Sequence, residues 1–355
     1  MTSSNGNGAC MFGGRKFCAL ITGGAGFLGS HLAQALLQEG HEVLILDDLS
    51  TGNVQNLREL KDQRGLQYWI DSIANKPLLA ELVDESDIIF HLAAAVGVRL
   101  IVESPVHTIE TNVTGTELIL KAANKKKKPV FIASTSEVYG KSAQVPFHED
   151  DDLVLGATTK GRWSYAASKL LDEFLALAYW KEKKLPVFVA RFFNIVGPGQ
   201  SARYGMVLPN FVSQAISGEG LTIFGTGKQT RCFCYVGDAV KAIIGLIQKP
   251  EAVGEIFNIG SDQEISVEEL AHRVISRLDS RSSVRHIPYE IAYEQGFEDM
   301  LRRVPSLEKI RRLTGWQPVT TLDTCIDLVA HRLQQRAAWA EAKSTPHSSS
   351  LAASG

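Results

Sequence analysis

Short apolar runs alternate with helical patterns along most of this chain, and that alternation limits the fold more than any other feature. Phe17-Cys18-Ala19-Leu20-Ile21 reads as a buried strand, followed by a Gly-rich turn and a helix through His31–Leu37 that Gly40 stops. Val43–Leu46, Ile88–Leu92, Val130–Ala133 and Val187–Phe192 continue the series, with helical patterns such as Pro105–Asn124 and Tyr165–Lys183 between them. A strand that is apolar at successive positions must be covered on both faces. The pattern therefore predicts an α/β fold with a doubly wound parallel sheet. After Phe193 the pattern turns irregular and richer in Gly, Pro and aromatics. Small and polar residues at the two ends, 1–14 and 337–355, bury too little to offset ordering entropy and predict flexible tails.

The chain's 355 residues, 45% hydrophobic and 21% charged, suit one large or two coupled domains and exclude collagen, coiled coil and global disorder. A net charge of −2 argues against a protein that coats nucleic acid or an anionic membrane. Lys125–Lys128 reads as a solvated helix end. There is no apolar run of membrane-spanning length and no apolar signal core near Met1, so the expected location is the cytoplasm. Five scattered cysteines fit reduced thiols, and Cys232 and Cys234 lack the spacing and partners of a zinc site, so no metal is expected.

The turn after the first strand reads Thr22-Gly23-Gly24-Ala25-Gly26-Phe27-Leu28-Gly29. Gly24, Gly26 and Gly29 satisfy G-x-G-x-x-G, and Gly23, Gly26 and Gly29 equally satisfy G-x-x-G-x-x-G. Between a strand and a helix, such glycines let a pyrophosphate approach the backbone at a helix N-terminus. Asp47 ends the next strand, 18 residues past Gly29. There it suits a ribose 2′-hydroxyl and repels a 2′-phosphate, so the expected cofactor is NAD rather than NADP.

Tyr165-Ala166-Ala167-Ser168-Lys169 is Y-x-x-x-K, which puts the phenol and the ammonium on one helix face. A neighbouring ammonium is expected to lower the phenol's pKa and ready Tyr165 to take a proton from a sugar hydroxyl during hydride transfer. Upstream, Ser134-Thr135-Ser136-Glu137-Val138-Tyr139-Gly140 follows a strand, at the end where doubly wound sheets hold ligands.

In this order and spacing, Thr22–Gly29, Asp47, Ser134–Gly140 and Tyr165–Lys169 resemble the extended short-chain dehydrogenases/reductases. Within them the likeness is to the NAD-dependent sugar-nucleotide epimerases, dehydratases and decarboxylases, from about Lys16 to Pro318. The resemblance implies a Rossmann NAD-binding domain over 15–195, with a return segment near 235–265. It also implies a smaller nucleotide-sugar domain over 196–234 and 266–336. Thr135 and Ser136 are implied as hydroxyl partners of the substrate, Tyr165 as the base, Lys169 as its activator and Glu137 as a further catalytic group. Phe27, Leu28, Asp71, Ala93 and Asn112 are implied as further cofactor contacts, as are Tyr165 and Lys169 themselves.

At the substrate end, Arg191-Phe192-Phe193-Asn194-Ile195-Val196-Gly197-Pro198 resembles the segment whose asparagine touches the sugar diphosphate. Leu208 and Phe211 fall where relatives pack a nucleobase. Gly225–Phe233 resembles the segment whose arginine, here Arg231, grips the diphosphate; bidentate phosphate bonding suits that residue type.

Glu137, the Arg162-Trp163 pair just before Ser164-Tyr165, and Arg303 two residues before Pro305 resemble UDP-glucuronate decarboxylases, and the resemblance implies Arg303 as a catalytic and substrate-binding residue that reaches the reacting sugar. The loop Ala93–Arg99 resembles that of a glucuronate 4-epimerase, and Arg99 suits a substrate carboxylate in either enzyme. The first expectation is a UDP-glucuronate decarboxylase forming UDP-xylose through a 4-keto intermediate. The alternatives are a 4-epimerase of UDP-glucuronate or another UDP-sugar, a 4,6-dehydratase, and a catalytically silent NAD-binding regulator. A homodimer is expected through a helix bundle that includes the Tyr165 helix. Its apolar residues Leu170, Leu171, Phe174, Leu175 and Leu177 equally suit a core.

Overall fold

The computed structural model describes residues 12–97, 104–201, 206–288, 291 and 300–344. The first lobe opens with β1 (Cys18–Thr22), α1 (Phe27–Gln38), β2 (Glu42–Asp47) and β3 (Leu66–Ile70). It continues through α2 (Lys76–Glu85), β4 (Ile88–His91), α3 (Pro105–Asn124), β5 (Val130–Thr135), α4 (Trp163–Lys183) and β6 (Val187–Phe192). Beyond lie β7 (Ile195–Val196), α5 (Val207–Ser217), β8 (Leu221–Phe224), β9 (Thr230–Cys232), β10 (Cys234–Tyr235) and α6 (Val236–Ile247). The chain ends with β11 (Ile256–Ile259), β12 (Glu264–Ser266), α7 (Val267–Arg277), β13 (Val284–Ile287), α8 (Glu308–Thr314) and α9 (Leu322–Ser344).

Seven strands form one parallel sheet in the order β11-β6-β5-β4-β1-β2-β3. Its inner strands are buried on both faces, as their unbroken apolar runs require. Leu32, Leu36, Ile45, Phe90 and Ile243 pack on one face, and Leu44, Leu82, Ile89, Ile119 and Val189 on the other. Each such side chain contributes roughly 1.5–3 kcal/mol on leaving water. Strand order reverses between β1 and β4, so a crevice opens at their carboxyl ends, where doubly wound sheets bind ligands.

The second lobe has a core of its own, built from Leu208, Phe211, Leu221, Leu270, Ile326 and Val329. Its strands are short and pair as β13 with β8 and β12 with β9. Beneath the crevice, Arg191 on β6 makes a bidentate pair with Glu173 on α4, with bonds of 3.0 and 2.8 Å, and Ser134 on β5 donates to the same carboxylate. This buried junction sets the height of α4 against the strand ends.

Ordered structure reaches further toward both chain ends than the sequence predicts. Phe12 is buried against Phe17, with ring centroids 4.6 Å apart, so packing begins inside the 1–14 stretch. Helix α9 runs to Ser344, past Ala337, because Ala337, Ala338, Ala340, Glu341, Ala342 and Lys343 all favour helix. No helix among the described residues is long and apolar enough to cross a membrane.

Candidate active site

A cleft of about 1200 Å³ runs from the glycine turn, across the ends of β4 and β5, into the second lobe. Gly23, Gly26, Phe27, Leu28 and Gly29 line it, and Gly24 is not among its lining residues. A Cβ on Gly24 would meet the Ile45 side chain at 2.6 Å, so that glycine serves packing against β2. The spacing that faces the cleft is therefore G-x-x-G-x-x-G. Gly23 has φ +74°, and a Cβ there would lie 2.6 Å from the Ala93 backbone nitrogen. One on Gly29 would lie 2.3 Å from the Gly23 carbonyl oxygen. Helix α1 starts at Gly26 with no capping side chain and no acid in its first turn, so its N-terminal N–H groups face the cleft available to an anion. This cradle, which a Cβ would fill, fits a dinucleotide's pyrophosphate.

Asp47 lines the same end, but its carboxylate also has structural work. It accepts hydrogen bonds from the backbone N–H of Ala25 at 2.9 Å and of Leu49 at 2.8 Å, tying the turn to β2. Burial pushes its pKa up, and those two bonds act against the rise. Asp71 also lines the cleft and accepts from Asn75 at 2.7 Å. Ala93 lines it as well. Asn112 does not: it is buried behind the wall, accepting from the Ala95 N–H at 2.8 Å and donating to Ser168 Oγ at 3.0 Å.

At the middle of the cleft, Thr135 ends β5, and its hydroxyl accepts from the Glu137 N–H at 3.3 Å. Tyr165 reaches the same place from the first turns of α4 and shares a hydrogen bond with the Thr135 side chain. Ser136 Oγ and Glu137 Oε2 are buried with no hydrogen-bond partner among the described residues, and both residues line the cleft. Buried polar atoms of this kind cost free energy unless something in the cleft bonds them.

The expected effect of Lys169 on Tyr165 is not what the structure shows. Tyr165's pKa is raised, first by burial and then by the Glu137 charge, with Thr135 and Arg303 acting the other way. The Lys169 ammonium lies 2.7 Å from Asp172, and both groups are buried. Its charge is compensated one turn along the helix rather than directed at the phenol.

The substrate end is framed by two buried arginines. Arg303 Nη1 lies 3.7 Å from Glu137 Oε1, and Arg162 Nη2 lies 3.8 Å from the same oxygen. Arg162 stands in the Arg-Trp pair that precedes Tyr165, and the fold turns that sequence likeness into a buried charge at Glu137. Asn194, with φ +39°, donates to the Cys232 carbonyl at 3.2 Å and lines the cleft. Leu208 and Phe211 are fully buried and line it from α5. Arg231 lines it too, donating to the backbone carbonyls of Thr230 at 2.8 Å and Met300 at 2.9 Å. Arg99 lies outside the described residues.

Comparison with known proteins agrees with this layout. A family model described as GDP-mannose 4,6 dehydratase matches residues 20–329. The chain is 45% identical over 305 residues to a UDP-N-acetyl-alpha-D-glucosaminuronate decarboxylase of Bacillus cytotoxicus, covering 86% of this chain and 93% of that one. It is 34% identical over 308 residues to UDP-glucuronic acid decarboxylase 1 of Danio rerio, covering 86% and 69%. Among solved structures, the UDP-glucuronic acid 4-epimerase from Bacillus cereus in complex with UDP-glucuronic acid and NAD superposes with a TM-score of 0.80. That likeness is at 26% identity and covers 90% of this chain and 99% of the other.

Proposed function

Because the chain belongs to the GDP-mannose 4,6-dehydratase family of NAD-dependent extended short-chain dehydrogenases/reductases, we propose that it decarboxylates a UDP-linked hexuronate through a 4-keto intermediate. The observation that carries this reading is Glu137 set between Arg162 and Arg303 beside Tyr165. Two guanidinium groups converge on this carboxylate at the substrate end, an arrangement suited to an acidic sugar and to the negative charge that forms on it.

Gly23, Gly26 and Gly29 hold NAD, with Asp47 at the ribose, and bound NAD⁺ supplies a reversible hydride acceptor and a positive charge. The chain's own groups manage protons and anions. Tyr165 takes the proton of the sugar's C4 hydroxyl, and Thr135 and Ser136 hold that oxygen. C4 becomes a ketone, which makes the C6 carboxylate a β-keto acid. The C5–C6 bond breaks, CO₂ leaves, and the electron pair moves into an enolate whose charge Arg303 and Arg162 stabilise. A proton from water then adds at C5, giving the 4-keto pentose. Tyr165 returns its proton as C4 is reduced. Asn194 and Arg231 bind the diphosphate, and Leu208 and Phe211 pack the base.

The sugar is UDP-glucuronate in one reading. The 45% identity to an enzyme named for the 2-acetamido analogue favours a second, in which C2 carries the acetamido group. In both the protein works as a homodimer through α3 and α4, whose Val106, Ile109, Leu171 and Phe174 are exposed. The test is to incubate the purified protein with each UDP-uronate and follow products by NMR. Release of CO₂ with a UDP-pentose is expected. UDP-galacturonate formed from UDP-glucuronate, with no CO₂, would overturn decarboxylation in favour of epimerisation.

A further inference from the structure

The last helix belongs to one lobe and ends on the other. Cys325, Ile326, Val329 and Ala330 in its first turns are buried in the second lobe's core. One turn later, Arg332 forms an ion pair with Glu59, which follows the loop after β2. Leu333 and Arg336 then line the cleft. Arg336 Nη2 donates to Asn56 Oδ1 at 3.1 Å. Asn56 Nδ2 in turn donates to the carbonyl of Ala25 at 3.0 Å, and the Asn53 N–H donates to the same carbonyl at 3.0 Å. Ala25 sits inside the glycine turn, next to the residue that starts α1. One asparagine therefore separates the Arg336 guanidinium from the turn that cradles the pyrophosphate.

Among the described residues, the charge at this spot is unbalanced. Arg332 and Arg336 bring two cations, Glu59 one carboxylate, and His31 packs alongside with its ring nitrogen bonded to the Phe27 carbonyl at 2.9 Å. Arg336 is partly buried and feels Arg332 as a like charge, and both effects act against its own charge. An anion in the cleft is what this arrangement lacks.

We infer that Arg336 is a cofactor-binding residue: a cation carried by the second lobe's last helix to the phosphates of the dinucleotide held on the glycine turn. The inference rests on NAD as the cofactor. It adds a phosphate contact from outside the NAD-binding lobe and makes α9 a strap that closes the cofactor end of the cleft. Cofactor retention then depends on the docking of the two lobes, through Arg336, Asn56 and Ala25.

The test is ligand binding in full-length protein with Arg336→Gln, which keeps a donor for Asn56 and removes the charge, and with Arg336→Lys, which keeps the charge. ADP-ribose and adenosine are the probes, measured by calorimetry, with unfolding midpoints to check the fold. Arg336→Gln is expected to weaken ADP-ribose roughly tenfold, as loss of one charge-assisted phosphate contact does. It should leave adenosine within about twofold, and Arg336→Lys should recover part of the loss. NAD retained through purification should fall in parallel. Unchanged ADP-ribose affinity in Arg336→Gln, or an equal loss for adenosine, would overturn the inference. A wild type that binds neither ADP-ribose nor NAD would overturn the cofactor reading itself.

Discussion

Tyr165 shows what a motif conveys and what it leaves out. Y-x-x-x-K placed the phenol and the ammonium on one helix face, and the structure has both at the cleft. What spacing alone does not reveal is where the ammonium's charge goes. Asp172, three residues past Lys169, takes it at 2.7 Å, while Glu137 pushes the phenol's pKa up from the other side. Arg162 enters the sequence reading only as part of a likeness, because spacing does not show that folding buries its guanidinium within 3.8 Å of Glu137. The role of Tyr165 has a direct check. Tyr165→Phe keeps the ring and removes the proton carrier, so turnover should fall by about 10²–10⁴. NAD affinity should stay near wild type, because the glycine turn is untouched. Turnover within about threefold of wild type would exclude Tyr165 as the proton carrier.

At the scale of elements, helix α4 does two jobs on two faces. Tyr165, Ser168, Lys169, Asp172 and Glu173 turn inward, where the last joins Arg191 under the sheet. Leu171 and Phe174 turn outward, 50% and 64% exposed, beside the exposed Val106 and Ile109 of α3. The sequence showed this apolar stripe but not its destination, since core and interface share the same 3.6-residue period. Leu170, Leu175 and Leu177 are half-buried, so the stripe divides between the two. Helices α3 and α4 each expose two large apolar side chains, and exposed apolar area of this kind is what supports the proposed dimer face. Leu171→Asp combined with Phe174→Asp should therefore shift the protein from dimer to monomer in sedimentation or light scattering. Its helical circular dichroism should be retained, because neither side chain is in the core. A wild type that is monomeric at micromolar concentration would remove this face as an interface.

For the whole molecule, legibility followed the length of the strands. Five strands of the central sheet, β1, β2, β4, β5 and β6, carry their own apolar runs and are readable in the sequence, whereas the edge strand β3 is interrupted by Gln67 and largely exposed and is not. The second lobe was not, because its strands are two to four residues long and pair across distant parts of the chain, as β8 does with β13. The coupling of sheet and site also lay beyond the sequence. His91 ends β4 fully buried beneath the glycine turn, bridging Thr22 Oγ1 at 2.8 Å and Thr116 Oγ1 at 3.2 Å. Burial, helped by the Lys169 charge, lowers its pKa from 6.5 to about 3. The unfolded chain therefore binds a proton at His91 that the folded chain refuses. Its contribution to stability is complete above about pH 6.5 and is lost as pH falls toward about 3, at up to about 1.4 kcal/mol per pH unit. Asp47, Glu149 and Asp172 act with the opposite sign, since burial raises their pKa values and the folded state gains from their protonation. The effect of His91 must therefore be isolated by difference. His91→Gln keeps a donor and an acceptor between the two threonines but cannot titrate. In denaturant unfolding at pH 7.5 the variant should be the less stable protein, because an amide fills the imidazole's site imperfectly. Between pH 6.5 and pH 5 the wild type should lose more stability than the variant, so the gap between them narrows. Parallel losses over that range would mean that His91 does not set the protein's acid sensitivity.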